Sequence, residues 1–138
     1  MFRKKLNKRS GVEVVEVAIT VPILFAVTMA TIDVCNYFHL KQKANSVAYE
    51  TARTASLEGE TFQSARQAGV DFSDARKMSN YTIQVSAQAD LYDKRDLMPK
   101  GARIRAVVEL PVKGNVPGPF LLFQTSTIRS QEYVISAR

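Results

Sequence analysis

Hydropathy divides the chain into three regimes. From Val17 to Ile32 sixteen consecutive residues carry no formal charge, and Val14 and Val15 stretch the apolar run to roughly the 20 residues that cross a bilayer core. Beyond it the pattern becomes a helical stripe. Val34, Tyr37, Phe38, Ala44, Val47, Ala48, Ala52 and Ala55 recur every three or four positions, with Lys41, Gln42, Lys43, Asn45, Ser46 and Glu50 on the other faces. Nothing separates the two regimes, so the pattern predicts one helix over residues 12–57. At about 1.5 Å per residue that helix is roughly 70 Å long, over twice the bilayer core, and its outer half must project beyond the membrane.

Gly59 reads as a stop. A second, weaker amphipathic helix is predicted over residues 61–78, with Phe62, Ala65, Ala68, Phe72 and Ala75 on its apolar face and Gly69 as a weak point. From Tyr81 the period becomes two. Tyr81, Ile83, Val85 and Ala87 form one half-buried strand, and Ile104, Ala106, Val108, Leu110 and Val112 alternate with Arg103, Arg105, Val107 and Glu109 in another. A third strand is expected over residues 123–136. A polar turn over 90–101 and a Gly/Pro loop over 113–119 join the strands, and Phe120, Leu121 and Leu122 are expected beneath the sheet. Three strands with one apolar face need a cover, and the outer half of the long helix supplies it. The fold class is therefore α+β: a long N-terminal transmembrane helix extending into a small head with a second helix and a three-stranded antiparallel sheet.

Charge assigns a direction. The net charge is +6, but Arg3, Lys4, Lys5, Lys8 and Arg9 supply five positive charges before residue 12, leaving fourteen basic against thirteen acidic residues, or +1, in the remainder. A cationic flank beside an apolar run holds the N-terminus in the cytoplasm and sends the body outward. The body has no basic patch interleaved with aromatics, so no nucleic-acid partner is expected. Asp33 and Asn36 mark the outer membrane boundary, followed by Tyr37 and His39 as interfacial residues. Pro22 removes a helix hydrogen bond and is expected to bend the helix, with Thr20 or close neighbours re-satisfying the freed carbonyl.

Candidate chemistry is sparse. Cys35 is the only cysteine, so no internal disulfide is available, and it reads as a small apolar residue at the outer end of the span. With His39 the only histidine, no metal site, cofactor or catalytic constellation is expected, and the chain does not read as an enzyme. Asp90, Asp93 and Asp96 stand beside Lys94 and Arg95 in a turn that lacks the glycine and closing glutamate of a calcium loop. The triplet at Asn80, Tyr81 and Thr82 matches a glycosylation sequon but carries little weight.

Glu16 is the anomaly. A carboxylate inside a membrane segment costs about 2.5–3.5 kcal/mol on insertion scales, so it calls for a partner or a role. A secretory signal cleaved after Ala30 gives Glu13 and Glu16 no place, and Thr28 is a poor residue for its cleavage site. An uncleaved single-pass anchor presenting a periplasmic protein-interaction domain leaves the acidic pair unexplained. Gly11 followed by Val12, with Glu16 fifth from the glycine, resembles the processing site of type IV prepilins. The further spacing through Val15, Val17 and Ala18 to Pro22 and on to Asp33, with the segment from Ala48 through Glu50 to Arg53, resembles the TadE-like pseudopilins of the tight-adherence (Flp) pilus system. Val17 departs from the usual aromatic after the glutamate, and Thr51 from the usual glycine.

The resemblance implies a minor pseudopilin that is processed by a prepilin peptidase and acts in pilus assembly at the bacterial inner membrane. Its partners would be the peptidase, other pilins or pseudopilins and the assembly machinery. Residues 1–11 would be the leader, 12–33 the transmembrane helix, 34–58 its extracytoplasmic extension and 59–138 the head. Gly11 and Val12 would flank the cut. In the family the glutamate is thought to pair with the new N-terminal ammonium of a neighbouring subunit, a role for Glu16 that stands beside a plainer one, in which its carboxylate reaches the cytoplasmic headgroups.

Overall fold

The computed structural model describes residues 8–57, 61–87, 103–116 and 126–136. Helix α1 spans Lys8–Ala55, a run of 48 residues with Pro22 inside it. It begins earlier than residue 12, because Ser10 and Gly11 continue the helix instead of breaking it. Glycine lowers helix propensity by about 1 kcal/mol without forbidding the conformation. Pro22 leaves the Ala18 carbonyl without its usual backbone donor. Thr20 does not replace that donor: its hydroxyl donates to the Glu16 carbonyl at 2.7 Å, and Thr28 and Thr31 donate likewise to Leu24 and Val27 at 2.8 Å each.

Helix α2, Phe62–Ala75, is shorter at both ends than the pattern predicts. Its N-terminus is fixed by a capping box, in which Thr61 Oγ1 accepts from the Ser64 amide at 3.0 Å and Ser64 Oγ accepts from the Thr61 amide at 2.9 Å. At the other end the Met78 amide donates to the Ser73 carbonyl and the Lys77 amide to Asp74, with Lys77 at φ 54°. This is a Schellman stop with lysine where glycine is usual, and it ends the helix before Met78.

Strand β1 is Thr82–Ala87 and β2 Arg103–Pro111, paired antiparallel with Val85 opposite Ala106. The third expected strand is two, β3 Thr127–Arg129 and β4 Tyr133–Ser136, both on the other edge of β2. Arg129 lies opposite Glu109 and Tyr133 opposite Ala106. From one pair to the next, β2 advances three residues and its partner four, which defines a β-bulge. Ser130 holds the near side, donating its amide to the Val108 carbonyl at 2.8 Å and accepting the Val108 amide on Oγ at 2.9 Å. The amide of Gln131, turned out of the ladder, donates to Asn45 Oδ1 on α1 at 2.8 Å. Residues 90–101 and 117–125, including Phe120, Leu121 and Leu122, lie outside the described residues.

The apolar face of the sheet packs on the outer half of α1 as the alternation predicts. Leu40, Ala44, Val47 and Ala48 form one cluster with Met78, Val108, Leu110, Val112 and Ile128. A second cluster gathers Ala55, Ala65, Val85 and Ile104. Cluster membership orients the head: α1 climbs away from the apolar run from Leu40 to Ala55, whereas α2 and β2 descend towards it from Ala65 to Met78 and from Ile104 to Val112. The leucine, isoleucine, valine and methionine side chains of the two clusters contribute about 1.5–3 kcal/mol each when fully buried, enough to seat a sheet that could not stand alone in water.

Candidate functional site

The functional residues read from the sequence all lie on α1, below the head. Asp33 divides the helix. It is 5% exposed, and Leu40, Ala44, Val47, Ala48, Thr51, Ala52 and Ala55 above it are buried. From residue 11 to Ile32 every side chain is exposed except Met29 and Ala30, which are half-buried. Val12 at 68%, Phe25 at 63% and Ile32 at 47% are far more exposed than aliphatic and aromatic side chains tolerate in water over such a length. At about 1.5 Å per residue the stretch from Gly11 to Ile32 is roughly 33 Å, the thickness of a bilayer core. This helix is long and apolar enough to cross a membrane.

Within it, Val12 and Glu16 are four residues apart and therefore share one face, separated by a single turn. Gly11 immediately precedes them, and a Cβ built on it would meet nothing within 4 Å. The bond between Gly11 and Val12 is therefore open to approach from solvent once the helix is unwound there. Glu16 is exposed within the apolar surface, and its backbone carbonyl is the one that Thr20 caps. Val17 (59%) and Pro22 face outward too.

Asp33 is not merely a boundary marker. The sequence placed it at the edge of the membrane, and the structure buries it where the head begins, beside a half-buried Tyr37 that packs on the first cluster. Cys35, at the outer end of the apolar run, is exposed. Helical periodicity alone does not single out Asp33 as a buried position.

Residues 11–53 match the family described as TadE-like protein. That part of the chain is similar to TadE-like proteins. The match opens on the glycine before Val12 and closes two residues short of the end of α1, so it covers the span and nearly all of the extension that carries the head. It points to a role in the tight-adherence pilus system, and the exposed apolar half of α1 fits a membrane anchor in such a protein. No curated protein and no solved structure matches the chain. Among the described residues, no group of three or more His, Cys, Asp or Glu is placed to hold a metal ion.

Proposed function

We propose that this chain is a minor pseudopilin, cut by a prepilin peptidase between Gly11 and Val12 and used in assembling a tight-adherence pilus. The observation that carries the reading is the coincidence of three features on one helix. The TadE-like match begins at Gly11, Glu16 lies one turn beyond Val12 on the same face, and the surrounding apolar surface is uncovered. After the cut, the ammonium of Val12 stands at the positive end of the helix dipole, an unfavourable position for a cation. Glu16 offsets it. In a bilayer neither charge is tolerable alone, whereas a hydrogen-bonded pair, within one chain or between neighbours, is. The basic leader orients the chain with its N-terminus in the cytoplasm and the head outside.

Glu16→Ala tests the assembly role separately from anchoring. The expected result is loss of pili while the chain still fractionates with the membrane; normal piliation would contradict the role assigned to Glu16.

One observation favours a second reading, an uncleaved anchor presenting its head to a protein partner. Helix α1 runs without interruption from Lys8 across the Gly11–Val12 bond. A peptidase must unwind that turn, and Gly11 makes unwinding about 1 kcal/mol easier than alanine would.

A further inference from the structure

We infer that the end of the head nearest the span is a docking surface for the anionic phospholipid of the outer leaflet. The inference rests on α1 being a membrane anchor but not on its cleavage. Lys41, Lys43, Lys77 and Lys113 are scattered through the sequence and drawn to one end by the fold. Lys41 and Lys43, both half-buried, follow Leu40, the first fully buried apolar residue of α1. Lys77 occupies the turn in which α2 ends its descent, and Lys113 the turn that follows the buried Val112 at the foot of β2. Arg76 lies beside Lys77, its guanidinium 5.8 Å from the centre of the Phe72 ring.

These two turns are locked together. Asn115 Oδ1 accepts the Ser79 amide at 2.6 Å, and Asn115 Nδ2 donates to the Ser79 carbonyl at 2.7 Å and to the Pro111 carbonyl at 2.8 Å. Lys77 at φ 54° and Gly114 at φ 90° give the turns their tight shape. Lys77 and Lys113, both exposed, are thus held on a rigid base.

The charges at this end are not consumed internally. The ion pairs among the described residues join Arg53 to Glu50, Arg105 to Glu132 and Arg129 to Glu109, and none uses these lysines. Asp74, the acidic residue nearest the turn on α2, accepts a hydrogen bond from Tyr81 at 2.8 Å. The geometry brings the lysines within reach of a membrane. Lys41 is nine residues beyond Ile32, about 13 Å along the helix, and headgroups occupy about 5–7 Å of that. The remainder is shorter than a lysine side chain plus one Debye length of about 8 Å. Phe38, 57% exposed below Leu40, supplies an aromatic at headgroup level. Lipid phosphate is thus the occupant that the position, the sign of the charge and the tether all select.

The test uses the full chain with Cys35→Ser and Ser79→Cys, labelled at residue 79 with a fluorophore and reconstituted into vesicles whose headgroups carry a quencher. About one third phosphatidylglycerol in phosphatidylcholine should raise quenching about twofold over phosphatidylcholine alone, and molar salt should reverse the rise. The variant that adds Lys77→Glu and Lys113→Glu should show the phosphatidylcholine level in both vesicles. Equal quenching in both vesicles before the charge reversal, or a rise that survives it, would overturn the docking surface. Failure to float with phosphatidylcholine vesicles would instead overturn the anchor itself.

Discussion

The backbone of Gly69 lies against the side chain of Thr51: a Cβ at residue 69 would stand 2.6 Å from Thr51 Oγ1 and 2.9 Å from Ile83 Cδ1. Thr51 is fully buried, and its hydroxyl donates to the Val47 carbonyl at 2.7 Å. The two helices and β1 therefore meet at a point with room for one side chain, which α1 provides. Gly69→Ala should destabilise the head by about 1–3 kcal/mol through overpacking. Thr51→Ala in the same chain should recover part of that loss, because it removes the nearer of the two obstructions. Denaturant unfolding of the four chains in detergent reads the coupling; strictly additive effects would mean that the two residues do not compete for space.

Lys77 occupies a left-handed position at the end of α2. Glycine adopts that conformation without the Cβ penalty, so Lys77→Gly should stabilise the head by about 0.5–1 kcal/mol. Thermal unfolding should show a higher midpoint, and a lower one would refute the strain assigned to residue 77.

Asn45 links α1 to the bulge. Asn45→Ala removes the acceptor of the Gln131 amide and should cost about 0.5–1.5 kcal/mol. Asn45→Asp keeps an oxygen in place and should cost less. Hydrogen exchange at the Gln131 amide is the direct reading: it should quicken in the alanine variant and stay protected in the aspartate one.

Tyr81 gives the head an alkaline limit. Its burial pushes the phenol above the usual value of 10.0, with the hydrogen bond to Asp74 and the charges of Asp74 and Asp71 adding to the rise. The folded state then holds this proton more tightly than the unfolded chain. The contribution to stability is complete below pH 10 and is lost as pH climbs through the higher folded value. Tyr81→Phe should flatten that part of the stability profile; an unchanged decline above pH 10 would assign it to other groups.

Much of this architecture is legible because two hydrophobic periods announce it. The stripe from Tyr37 to Ala55, apart from the exposed Phe38, and the alternation along β1 and β2 both place apolar residues on the observed core, which also takes in Val107 from the other set of β2. What periodicity misses is where the chain meets itself. Gly69 looks like a flaw in a helix until Thr51 is seen against it, which also explains how this chain tolerates a threonine where the family resemblance expects glycine. The bulge at residues 130–132 inserts a single residue, too little to interrupt a strand pattern, and its acceptor Asn45 is 86 positions from Gln131. The lysines at 41, 43, 77 and 113 are likewise invisible as a group until α2 and β2 descend together. The residues proposed for processing and assembly, Gly11, Val12 and Glu16, are the opposite case, since they lie within six residues of one exposed helix and tertiary structure adds only their openness.

The most direct test of the account is the N-terminal residue and intact mass of the protein in membranes of its own host, with and without the prepilin peptidase. The account predicts a chain beginning at Val12 when the peptidase is present and at Met1 when it is absent. A start at Met1, or near Thr31, in both strains would contradict it and leave the exposed half of α1 as a plain anchor or a secretion signal.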